Sequence, residues 1–206
     1  DAIAESGCKF LLIGFESLRR DCLSEIRKGF NKFDDYKRLI DGLHERGISV
    51  QGCFMFGFDH DDESVFSHTV EQVKALGIDI PRYSVLTPYP GTPLFDALDA
   101  QHRIITKNWA NYDTMHVVFK PAKMTPERLY QGFKWAYKET FSYRNIAART
   151  RSLDLTGLIN AVGNITYRRF VKRLNKDQRY AHPFIRPDNA MPDHAVLQQL
   201  KLQKSS

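Results

Sequence analysis

Along residues 1–93 the spacing of apolar side chains switches between two periods. Lys9 to Phe15 is a near-continuous apolar run behind Gly7, which predicts a strand covered on both faces. Tyr36, Leu39, Ile40 and Leu43 then recur at helical spacing, with Asp34 and Asp35 at the amino end and Gly47 as a left-handed stop. Ile48 to Phe58 reads as a second strand, and Val65, Val70, Val73 and Leu76 form a helical stripe that Gly77 ends. Ile78 to Leu86 is the third strand. Strand, helix, strand, helix, strand is the rhythm of a parallel α/β sheet joined by crossover helices.

Each strand is followed by a polar, Gly or Pro segment: Gly14 to Ser17, Gly57 to His60, and Thr87 to Thr92. In a parallel sheet all three gather at the carboxyl edge, where α/β folds bind ligands. Beyond Pro93 the rhythm is lost. Leu94 to Gln101 predicts a helix and His116 to Phe119 a short extended piece. Thr125 with Pro126 is a helix start, leading into an aromatic-rich helix through Phe133, Trp135, Tyr137 and Phe141. A further helical segment spans roughly 153–174 before a polar tail from Asn175. The expected division is therefore 1–93, 94–150 and 151–206.

Composition adds three constraints. With 206 residues and 42% hydrophobic content the chain can bury a core, and no stretch approaches the ~20 apolar residues of a membrane span. The opening residues lack the basic-then-apolar order of a signal peptide, so a cytoplasmic location is expected. Charge is unevenly spread: residues 1–143 hold 18 Lys and Arg against 20 Asp and Glu, whereas 144–206 hold 12 against 4. All of the net +6 comes from the last third. Cys8, Cys22 and Cys53 lie 14 and 31 residues apart, which fits neither a disulfide framework nor a close-spaced metal motif. Buried thiols are the expectation.

Several residues are candidates for chemistry. Glu16 follows an apolar strand at the rim of the sheet, where a carboxylate needs a partner; a ligand hydroxyl or ammonium serves, and so does a salt bridge to Arg19, Arg20 or Lys28. The run Asp59, His60, Asp61, Asp62, Glu63 resembles a metal cluster but reads more simply as acids stabilising a helix start, so no metal site is assigned. His60 and His116 read as structural. Gly52 and Gly57 mark a bulge or a close approach of a ligand or another backbone. The Pro-Tyr-Pro-Gly-Thr-Pro loop is rigid and positioned to hold a ligand or simply to turn the chain.

At these residues a family resemblance enters. Ser6 to Ser17, then Phe54 to Asp59, then Leu86 to Leu94 in the order Leu-Thr-Pro-Tyr-Pro-Gly-Thr-Pro-Leu, resemble the second half of the radical S-adenosylmethionine (SAM) core in the group often carrying an amino-terminal cobalamin-binding domain. Tyr112-Asp113, His116 to Pro121 and the Trp135-Ala136-Tyr137 helix are similar to the subgroup with a carboxy-terminal domain of unknown function. The resemblance implies an α/β fold, a partial TIM-like barrel in which these three parallel strands are the fourth, fifth and sixth, followed by a mainly helical extension. It implies SAM contacts at Glu16 and Ser17 and at Lys28, 12 positions after Glu16, with Gly57, Phe58, Thr87 and Tyr89 beside the adenine or substrate. Lys28 suits the SAM carboxylate as a point charge.

The family's [4Fe–4S] cluster is held by a Cys-x3-Cys-x2-Cys loop, which these 206 residues do not contain. The resemblance therefore implies part of a radical SAM enzyme, inactive alone, with the cluster and any cobalamin belonging to the complete enzyme and no catalytic residue assigned here. The expected partner is the missing amino-terminal half of the barrel, or a second copy meeting the open sheet edge. An alternative of another class is a non-catalytic module whose basic segment, Arg168, Arg169, Lys172, Arg173 and Lys176, binds nucleic acid or another anionic partner.

Overall fold

A computed structural model of the chain describes residues 1–18, 33–150 and 155–176. Three strands, β1 (Phe10–Glu16), β2 (Ser49–Phe56) and β3 (Ile80–Val85), form a parallel sheet in the order β1-β2-β3. A short α1 (Ala2–Glu5) precedes β1, α2 (Phe33–Glu45) precedes β2, and α3 (Ser64–Leu76) crosses from β2 to β3. After β3 come α4 (Pro93–Ala100), a 3₁₀ turn at Trp109–Asn111, α5 (Pro126–Thr140), α6 (Tyr143–Arg149) and α7 (Leu155–Lys176). This is the α/β partial barrel with a helical extension that the apolar pattern and the family resemblance predict.

One face of the sheet is the core. Strand alternation puts Val50, Phe54 and Phe56 of β2 on the same side as Tyr83 and Val85 of β3, all essentially buried. Phe15 stacks on Phe54 at 5.5 Å and meets Tyr36 of α2 edge-on at 4.8 Å, while Phe56 meets Phe66 of α3 at 5.0 Å. Such pairs contribute roughly 0.5–1.5 kcal/mol each beyond the area they bury.

The opposite face is treated differently along its length. It carries Leu12, Gln51, Cys53, Met55, Arg82 and Ser84, and β2 alternates buried with half-buried residues along its second half. β1 is therefore not covered on both faces as its apolar run predicts: Leu12 is 58% exposed and Phe10 36%. Its length of apolar residues fits a barrel interior, and here β1 is one of the two edge strands of the sheet.

Helix α7 covers the amino-terminal end of that second face. Gly163 lies against Ile80, where a methyl group would sit 2.4 Å from its Cδ1, so any larger residue requires the Ile80 side chain to shift. Gln51 donates to the Tyr167 hydroxyl at 2.8 Å, and Thr156 to the Gly47 carbonyl at 3.1 Å. Asp79, at the foot of β3, ties three elements together: it accepts from the Val50 amide and Asn160 Nδ2, both at 2.8 Å, and pairs with His44 Nε2 at 2.8 Å. A buried carboxylate with this many partners is satisfied where an isolated one would be costly.

The outer edge of β3 is closed by side chains and loop. The Tyr83 amide donates to the Tyr137 hydroxyl at 3.1 Å, the same hydroxyl donates to the Tyr83 carbonyl at 2.8 Å, and the Val85 amide donates to the Thr114 carbonyl at 2.7 Å. Pro81, two residues before Tyr83 and thus on the same edge, has no amide to leave unpaired.

Candidate functional site

Glu16 ends β1 in a strained conformation. The register slips between Gly14 and Glu16, and Glu16 has φ of 65°, which costs a residue with a Cβ on the order of 1 kcal/mol. The Ser17 amide donates to the Phe15 carbonyl at 2.9 Å, closing a tight three-residue turn around Glu16. Ser17 itself is buried. Strain of this kind at a strand end is a common device for aiming a functional side chain.

Two charges bear on the Cys53 thiol. Burial pushes the Cys53 thiol up, the Arg82 guanidinium opposes that shift, and the Glu16 carboxylate reinforces it. By register Gly14, Cys53 and Arg82 form one row across the three strands on the open face. A thiol and a guanidinium thus share a row on the second face, while Glu16, past the register slip, pairs with Phe54. Sequence reasoning singled out Glu16 and gave no role to Arg82 or Cys53. The signal for Arg82 was a lone charge inside the otherwise uncharged run Ile80 to Val85.

At the end of β2, Gly57 has φ of 111°, and an added Cβ would press on Leu129 and Phe119, each at 3.1 Å. The amides of Gly57 and Phe58 both donate to Asp61 Oδ2, at 2.9 and 3.1 Å, so neither remains as a donor to a ligand. Phe58 is buried. Past β3, Thr87 is buried and its hydroxyl donates to the Val85 carbonyl at 3.0 Å. Tyr89 is half exposed, and its carbonyl accepts the Thr92 amide and hydroxyl while Thr92 caps α4. Lys28, Cys22, Arg19 and Arg20 lie outside the described residues, as does the tail beyond Lys176. The structure therefore sets Cys53 beside Arg82 in one register row with the Glu16 charge acting on the same thiol, and sets Gly57, Phe58, Thr87 and Tyr89 at neighbouring strand ends in mainly structural contacts.

The acidic run is divided among separate partners. Asp59 pairs with Arg103, Glu63 with Arg128, Asp61 takes the two amides above, and Asp62 accepts from the Ser64 amide at 2.9 Å. His116 is buried and pairs with Asp113 at 3.0 Å. Among the described residues no group of three His, Cys, Asp or Glu side chains could hold a metal ion. Cys8 and Cys53 are half-buried rather than buried, and two thiols, one ahead of β1 and one on β2, do not fit a [4Fe–4S] cluster. A carboxylate such as that of Glu16 is the type of group that pairs with an ammonium or with ribose hydroxyls.

No protein-family model matches the chain. It is 35% identical over 174 residues, 84% of its length, to bacteriochlorophyllide d C-12(1)-methyltransferase of Chlorobaculum tepidum. It is 28% identical over 168 residues to the C-8(2)-methyltransferase for bacteriochlorophyllide d of the same organism. The chain belongs to the radical SAM superfamily. The chain spans 37% of the length of each of these two relatives. Among solved structures, the radical SAM methyltransferase TsrM from Kitasatospora setae, with cobalamin and a [4Fe–4S] cluster bound, is 24% identical with a TM-score of 0.45, covering 64% of this chain and 27% of that one. No described helix is long and apolar enough to cross a membrane.

Proposed function

We propose that this radical SAM chain provides the SAM-contacting, carboxy-terminal part of a methyltransferase barrel, and that the cluster and any cobalamin are held by residues outside these 206. The observation that carries this reading is the 35% identity over 84% of the chain to a bacteriochlorophyllide methyltransferase. A substrate of the tetrapyrrole class follows from the same relative. When bound, the cluster supplies the electron for reductive cleavage of SAM. This chain's own residues bind and orient. Glu16 holds the SAM ammonium or ribose, Arg82 and Lys28 offer cations to its carboxylate, and Phe58 and Tyr89 bound the adenine or substrate. Among the described residues no strand pairs with the outer edge of β1, and a preceding barrel strand takes that place.

The test is anaerobic reconstitution with iron, sulfide, dithionite and SAM. The chain alone is expected to form neither a cluster nor deoxyadenosine. Supplemented with the amino-terminal part of the Chlorobaculum relative, it is expected to produce both, with deoxyadenosine yield falling at least tenfold in Glu16→Gln. A stoichiometric cluster on the chain alone, or full yield from Glu16→Gln, overturns the reading.

A further inference from the structure

Helix α7 has two faces with opposite fates. Thr156, Asn160, Gly163, Asn164 and Tyr167 turn toward the sheet. On the other side Leu158, Val162 and Ile165 are 61%, 58% and 49% exposed. The same 4-3-4-3 spacing continues from these aliphatics into exposed Arg169 and Lys172. Residues 155–176 contain no Asp or Glu. At the basic end Arg168 lies 3.5 Å over the ring of Tyr143, and donates to the Phe141 carbonyl at 2.6 Å. Tyr143 is 69% exposed, and exposed Arg144 follows it.

We infer that this outer face of α7 docks on an anionic lipid surface. Three adjacent large aliphatics on a helix already packed on its other side form a patch that water does not favour. A lipid interface takes the aliphatics below the headgroups, the cations at the phosphates and the amphipathic Tyr143 between them. Nucleic acid would neutralise the same cations but leave Leu158, Val162 and Ile165 in water. A second copy fits poorly, because a parallel pairing sets Arg169 and Lys172 against themselves, and an antiparallel one sets them against aliphatics.

The experiment is flotation of the full chain with phosphatidylcholine vesicles, with and without roughly one-third phosphatidylglycerol. The chain is expected to float with the anionic vesicles and not with pure phosphatidylcholine. Leu158→Gln, Val162→Gln and Ile165→Gln combined abolish flotation. Arg169→Gln and Lys172→Gln each weaken it about fivefold, and added salt weakens the wild type. All five side chains are exposed, so circular dichroism and thermal unfolding are expected to match the wild type. Three results overturn the inference: no flotation, flotation unchanged in the aliphatic variant, or a dimer in light scattering that the aliphatic variant dissociates. Tight binding of a single-stranded RNA oligonucleotide, unaffected by the aliphatic variant and stronger than vesicle binding, assigns the face to nucleic acid and also overturns it.

Discussion

The Tyr137 hydroxyl occupies the outer edge of β3 at Tyr83, accepting its amide at 3.1 Å and donating to its carbonyl at 2.8 Å. One side chain thus does what a neighbouring strand does elsewhere in a sheet. Its titration is suppressed by burial, so it stays a donor at any ordinary pH. Tyr137→Phe keeps the ring among Tyr83, Phe133, Phe141 and Tyr167 but strands the Tyr83 amide and carbonyl. The expected loss is about 1–3 kcal/mol in denaturant unfolding, with an unchanged m-value. A variant as stable as the wild type would show that this edge needs no closure.

Gly132 on α5 sits against Phe66 on α3, where a Cβ would lie 2.1 Å from the ring. The ring is rigid, so Gly132→Ala must separate the two helices. That overpacking is expected to cost about 1–3 kcal/mol despite alanine's better helix propensity. Phe66→Leu removes the obstructing ring edge. The double variant should recover part of the loss, measured as a favourable coupling of at least about 0.5 kcal/mol in a double-mutant cycle.

The alternation of periods in residues 1–93 located the three strands and the two described helices between them, because apolar spacing there answers to a regular sheet with helices on one side. The second face was less legible. A barrel-interior strand and a strand covered by helices both read as an apolar run, so Leu12 looked buried and is not. Glu16 was visible because its charge breaks that run. The Asp61 bonds to Gly57 and Phe58 depend on loop geometry that spacing does not encode, and they occupy the amides of two residues that the family resemblance sets beside the adenine or substrate. The break between α5 and α6 at Phe141 and Ser142 was equally hidden, since the aromatic stripe continues through it.

His44 on α2 pairs with Asp79 at 2.8 Å, and this bond raises its pKa above 6.5, against the opposing effect of burial. Asp41 adds to the rise and Lys37 subtracts from it. A histidine whose folded pKa is raised contributes stability that is complete below its unfolded value of about 6.5 and is lost as pH climbs through the folded one. His44→Gln removes the titration while keeping a donor for Asp79. The difference in unfolding free energy between wild type and variant should therefore shrink as pH rises from about 5 to 8. A difference independent of pH would contradict the pairing.

Cys53 reports on the open face of the sheet. Its thiol is pushed up by burial, Arg82 pulls it down, and Glu16 pushes it further up. The thiolate is the reactive form, so alkylation at fixed pH follows these charges. In a Cys8→Ser, Cys22→Ser background, Arg82→Gln should slow alkylation of Cys53 and Glu16→Gln should speed it. The opposite signs separate electrostatics from a general loosening of the fold, which would speed both. If SAM places its carboxylate and ammonium on this row, adding it should protect Cys53 in the wild type and protect it less in Glu16→Gln. Equal rates in both charge variants would remove Glu16 and Arg82 from the surroundings of Cys53, and with them the proposed SAM contacts on this face.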